Sequence, residues 1–149
     1  MAAPTKMAVI RLKRIGKYLI NKKRMKQVFE WGGDITKVRV QTDSDWASDR
    51  STRRSVSGRA RRLGTYLLKT WSKDQGHVTK SSCEAELYAA CYGSDHGLAM
   101  QSILRDLGVW VLVEVEIDSS AAIGVVGRMG IGELRHIEVH DLWLQEAQR

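Results

Sequence analysis

The sequence has 149 residues, 43% of them hydrophobic, and a formal net charge of +7. That is enough chain for one domain with a real core and a short extension, and it excludes a disordered composition. The charge excess points to an anionic partner, nucleic acid first and an acidic membrane surface second, although basic proteins also stay soluble this way.

Residues 1–34 read as a basic extension and 35–149 as the domain. The N-terminus MAAPTKMAVI lacks the charged start and long apolar middle of a signal peptide. No apolar run reaches the ~20 residues of a membrane span, so an intracellular protein without membrane contact is expected. Lys6, Arg11, Lys13, Arg14, Lys17, Lys22, Lys23, Arg24 and Lys26 crowd the region before Glu30. Val9, Leu12, Ile15, Leu19 and Ile20 recur among them at helical spacing, which predicts an amphipathic basic helix. Its apolar side needs a surface to pack on, and its basic side suits phosphates. Trp31-Gly32-Gly33-Asp34 breaks the chain.

Val38, Val40 and Thr42 alternate with Arg39, Gln41 and Asp43, a strand ending in acid. A polar loop with Arg53 and Arg54 leads to a second strand, Gly58 to Leu63, whose Arg-Ala-Arg-Arg core suits an edge, one wet face or decayed sequence better than a buried position. Gly64 turns the chain into a third strand, Thr65 to Trp71, and Lys73 to His77 turn it again. Ser81 and Glu84 form a capping box opening a long helix to Leu107, with Gly108 as its C-cap. Cys83 and Cys91 fit neither a zinc site nor a disulfide framework; core thiols in a reducing compartment are expected. Val109 to Ile117 is a fourth strand, with Val113, Val115 and Ile117 on one face and Glu114, Glu116 and Asp118 on the other. Ser119 or Ser120 caps a helix through Arg128, Gly127, Gly130 and Gly132 make a flexible connection, and 134–147 form a last helix with Leu134, Ile137, Leu142 and Leu144. An antiparallel meander, a crossover helix and a further strand give a mixed α/β sheet with flanking helices.

Asp43 and Asp118 come side by side if their strands are parallel neighbours, and Glu86 can reach them from the long helix. Converging carboxylates call for a cation, and oxygen ligands favour Mg²⁺ or Mn²⁺; two such ions suit in-line attack on a phosphodiester. On spacing alone the plainer reading takes precedence, that acids terminate strands and cap the next element.

The stretches SDWASDRSTRRSVSG, KTWS, SSCEAELYAA, DSSAAIG and LRHIEVHDLWLQ, in this order from about Val38 to the C-terminus, resemble the ribonuclease H domain of copia-type LTR retrotransposon Pol polyproteins. LKRIGKYL before them looks like the tail of the reverse-transcriptase connection. The resemblance implies a ribonuclease H-like fold and Mg²⁺-dependent endonucleolytic cleavage of RNA in RNA–DNA hybrids. It makes Asp43, Glu86 and Asp118 the catalytic metal ligands, Glu84 a cap, and Asp45 a family acid assigned here to the loop. It also implies a reverse-transcriptase domain of the parent element as a partner. Arg53, Arg54, Lys22, Lys23 and Arg24 are expected to contact nucleic acid. The family continues into another strand and an Ala-Asp pair carrying a fourth acid, whereas this sequence stops at Arg149. A C-terminally truncated fragment is therefore expected, with Glu138 as accessory ligand candidate and His136 as a helix or core residue. The alternative is a catalytically inactive remnant that binds nucleic acid through its basic surface.

Overall fold

The computed structural model describes residues 5–22, 24–33, 35–130, 132, 137 and 142–148. It divides into two compact units, Met1–Glu30 and Trp31–Arg149. In the first, α1 spans Lys6–Ile20, and Thr5 caps it by accepting a hydrogen bond from the Ala8 N–H at 3.1 Å. The predicted helix is present, and no residue of α1 is buried.

The second unit contains β1 (Lys37–Asp45), β2 (Val56–Leu63), β3 (Tyr66–Asp74), α2 (Ser82–Asp106), β4 (Leu112–Ile117), α3 (Ser120–Val126) and α4 (Leu144–Ala147). The sheet order is β3-β2-β1-β4. β1 pairs antiparallel with β2 and parallel with β4, and β2 pairs antiparallel with β3. This is the expected mixed sheet, with α2 as the crossover from the meander to the parallel strand. No helix among the described residues is long and apolar enough to cross a membrane.

Alternation decides the faces. Val38, Val40 and Thr42 are buried, and Val38 and Val40 join Leu104 and Val111 in one core cluster. A second cluster gathers Leu87, Ala90 and Cys91 of α2 with Val125, Ile137, Leu142 and Leu144. Cys83 and Cys91 are free thiols, and burial, the largest influence on Cys83, pushes its pKa up. On the opposite face of β1 and β4, Arg39 Nε donates to Glu114 at 3.1 Å and lies 2.9 Å from Glu116, and Gln41 donates to Glu116 at 2.7 Å. Glu114 and Glu116 share the face that their parity predicts, whereas Asp118 lies past the end of β4 and approaches Glu86 of α2 instead.

Five boundaries depart from the sequence reading. β1 runs to Asp45, so Asp45 closes the strand rather than opening the loop. β3 continues through Lys73 to Asp74, because β2 begins earlier, at Val56, and offers it partners. β4 starts at Leu112, since Val109 is engaged in terminating α2. There Gly108, at φ +78°, donates to Arg105 O (2.9 Å) and Val109 donates to Leu104 O (2.8 Å), a Schellman closure. α3 stops at Val126 with Gly127 as C-cap, two residues short of Arg128. Of the predicted 134–147 helix, Leu144–Ala147 is helical, and Leu134 and His136 lie outside the described residues.

The Arg-Ala-Arg-Arg strand requires a larger correction. Of the alternatives for β2 the edge fails, because the strand is interior, while one wet face holds: Ser57 and Arg59 are buried, and Gly58, Ala60 and Arg62 stay partly exposed. Arg59 is only 8% exposed, with Nε donating to Ala89 O at 3.4 Å. Aliphatic stem and flat guanidinium let arginine fill a position that would reject a compact ammonium.

α2 approaches the sheet through two glycines one turn apart. A Cβ on Gly97 would stand 2.7 Å from Val113 Cγ1 and 3.2 Å from Val40 Cγ2, and one on Gly93 would collide with Thr42 Cγ2. Alanine at a helical glycine ordinarily gains about 1 kcal/mol, while overpacking costs about 1–3 kcal/mol. Gly93→Ala is therefore expected to lower unfolding free energy by roughly 1–2 kcal/mol in urea denaturation, whereas control by propensity alone would raise it.

Candidate metal centre

The last pair of the parallel ladder is Thr42 with Ile117. Asp43 and Asp118 stand one step further along adjacent strands, about 5 Å apart at the backbone. β1 itself continues two residues beyond Asp43 to pair with β2, so the acid marks the end of the β1–β4 ladder rather than the end of the strand. α2 supplies the third group. Ser81 caps it by accepting from Glu84 N at 3.2 Å, and the Glu84 carboxylate accepts from Lys80 N at 2.8 Å. Glu84 is thus the cap expected of it, its carboxylate bonding the backbone N–H one residue before the N-cap. Glu86 lies on the buried side of the first turns, 7% exposed.

Glu86 Oε1 accepts two hydrogen bonds from Ser44, one from its backbone N–H (3.0 Å) and one from its hydroxyl (2.8 Å). Glu86 Oε2 is buried and has no hydrogen-bond partner among the described residues. One carboxylate oxygen from each of Asp43, Glu86 and Asp118 falls within 4.8 Å of the others; Asp43 and Asp118 are exposed and Glu86 is buried. Burial is the largest influence on Glu86 and pushes its pKa above the ordinary glutamate value. The two Ser44 bonds work against that rise, and Asp118 and Asp43 add to it. Two exposed carboxylates over a buried one with an unpartnered oxygen form an open, all-oxygen donor set. Such a set could hold a hard divalent cation, which would satisfy Oε2 and reverse the repulsion.

The walls of the site are braced by polar contacts. Trp46 Nε1 donates to Thr79 O at 3.2 Å, Ala47 N donates to Ser55 Oγ at 3.0 Å, and the Ser55 and Thr79 hydroxyls bond at 2.8 Å. They tie the end of β1 to the segment entering α2. Asp49 holds the hairpin by accepting from Ser51 and Thr52, and those bonds keep its pKa far below the usual carboxylate range.

The predicted residues are distributed unevenly. Asp43, Glu86 and Asp118 converge. Asp45 is exposed at the end of β1, and Glu138 and Lys23 lie outside the described residues. Arg53 and Arg54 are exposed in the β1–β2 hairpin, Arg53 at φ +58°. Lys22 and Arg24 are exposed in the other unit. Sequence reasoning missed Ser44, whose only signal was its position directly after the strand acid. Comparison with family models, curated proteins and solved structures gives no match.

The raised Glu86 pKa fixes the sign of a stability effect. Folding binds this proton more tightly, so the associated stability is complete below the ordinary value and is lost as pH rises through the raised one. In metal-free protein at pH 7, Glu86→Gln should therefore melt above wild type, with the difference closing toward pH 4. Millimolar Mg²⁺ should raise the wild-type Tm and leave the variant's unchanged. A metal-free variant less stable than wild type at pH 7 contradicts the repulsion at this site.

Proposed function

We propose that this chain is a metal-dependent ribonuclease H that hydrolyses the RNA strand of RNA–DNA hybrids, derived from a copia-type retrotransposon Pol polyprotein. The observation that carries the reading is the convergence of Asp43, Glu86 and Asp118 around the unpartnered Glu86 Oε2. The mixed sheet and the helix α2 that carry these acids, and the five motifs of the sequence, support the same reading.

Mg²⁺ is the cation this donor set suits best, and when bound it supplies an activated water and charge neutralisation at a phosphodiester. Asp43 and Asp118 offer ligand oxygens from two adjacent strands, at a fixed separation set by the ladder. Glu86 offers Oε2 while Ser44 holds Oε1, so its carboxylate cannot swing to make an equivalent oxygen available. Burial raises the Glu86 pKa and a bound cation would favour its ionised form, so activity should decline as pH falls and Glu86 takes up a proton. Arg53 and Arg54, exposed between β1 and β2, would meet substrate phosphates, and the excess of positive charge would steer a polyanion toward the protein.

A chain that binds hybrid through its basic surface without turnover is the competing reading. Cleavage of a labelled RNA–DNA hybrid in Mg²⁺, beside single-stranded RNA, separates the two. Wild type should cut the hybrid alone, and Asp43→Asn should lose at least about 10³-fold in rate while melting normally, the scale of removing several kcal/mol of transition-state stabilisation. Equal cutting by wild type and variant would overturn the nuclease assignment, and hybrid binding without cutting by folded wild type would leave the binding role.

A further inference from the structure

Between the β2–β3 hairpin and α2 lies a second feature, a cleft of about 620 Å³ lined by Arg59, Arg61, Lys69, Lys73, Trp71 and Tyr92, among others. We propose that this cleft binds the phosphodiester backbone of a nucleic-acid strand, at a site separate from the carboxylate cluster. Binding there does not require that cluster to be catalytic.

The first ground is register. Ser57 pairs with Lys73, Arg59 with Trp71 and Arg61 with Lys69. Alternate residues of a strand share a face about 7 Å apart, so these pairs form three successive rungs of donors along the groove. That spacing is comparable with the separation of adjacent phosphates on an extended strand.

The second ground is uncompensated charge. Arg59 is more than nine-tenths buried, its guanidinium between the rings of Trp71 (5.9 Å) and Tyr92 (5.3 Å), and only its Nε is bonded, to Ala89 O. Arg61 gives one N–H to His96 O at 3.2 Å, and its buried Nε has no partner. Among the described residues, Arg54, Arg59, Arg61, Lys69 and Lys73 have no carboxylate within ion-pair distance. A buried cation without an ion-pair partner is costly, Asp95 favouring the Arg59 charge only from beyond pairing distance, and a bound anion would lower that cost. Guanidinium forks are the donors best matched to phosphate oxygens.

The field of the cleft is visible at His96. Burial lowers the pKa of its imidazole most, Arg59, Arg61 and Lys69 lower it further, and Asp95 alone opposes them. The lining also favours a strand over a single phosphate. Five cations are more than one phosphate engages, Asp74 is the only acid among them, and Tyr92 keeps 48% of its surface exposed for stacking on a base. The groove runs along α2 from His96 back to Gln75, which donates to Ala85 O, next to Glu86. A strand lying in it would leave toward the acid cluster.

The test uses the full chain without divalent cations, so its result is independent of whether the nuclease reading holds. Binding of fluorescent dT12 is followed by anisotropy across a salt series. Lys69 and Lys73 are exposed, so Lys69→Gln/Lys73→Gln should fold normally. We expect it to weaken binding about tenfold and to reduce the slope of log K against log salt by about 1.4, two contacts at roughly 0.7 each for single strands. Arg59→Gln, if it melts like wild type, should lose more. In NMR titrations of wild type, dT12 should raise the His96 pKa. Unchanged affinity and slope in the double lysine variant overturns the site. Poly-glutamate competing as well as dT12, or pyrophosphate shifting His96 where dT12 does not, overturns the assignment to a nucleic-acid strand.

Discussion

The parallel ladder between β1 and β4 is the constraint on which the rest depends. Its register, ending at Thr42 with Ile117, is what makes Asp43 and Asp118 neighbours. A slip of one residue would turn Val38, Val40 and Thr42 out of the core and move both acids away from each other. The same buried residues receive α2, and the glycines at 93 and 97 let that helix come close enough for Glu86 to bond Ser44. Register, glycine approach and acid convergence are one arrangement. Parallel pairing has no local turn to set it, so side-chain alternation and the crossover helix must do so.

The charges are sorted by neighbourhood. Across the outer face of β1 and β4, lysine and arginine meet Glu114 and Glu116, and these half-exposed pairs add little stability. On the α2 side, acids gather at one end of the sheet and unpaired arginines occupy the hairpin groove. Both clusters concentrate like charge, and ligands of opposite charge would relieve both. Stability is given up at these places in the way binding sites commonly require.

Much of this was legible in the sequence because local signals carried it. Period-two alternation marked β1 and β4, the Ser81–Glu84 pair marked the start of α2, and Gly108 marked its end. The acid triad followed once the strands were taken as parallel neighbours. The misreadings arose where tertiary partners decide. Arginines at 59 and 61 look like solvent residues because composition does not reveal that Trp71, Tyr92 and the Ala89 carbonyl surround the first of them. β1 and β3 extend because β2 starts early, a property of the pairing rather than of either strand. Ser44 was passed over because nothing in its own sequence shows that a helix more than forty residues away sends a carboxylate to it.

The most direct test of the central claim is diffraction from crystals soaked in Mn²⁺, with anomalous scattering locating the ion. The account predicts manganese at roughly 2.1 Å from Glu86 Oε2 and from an oxygen of Asp43 and of Asp118. Manganese bound elsewhere, or a Glu86 Oε2 that turns to a protein donor with no ion beside it, would contradict it.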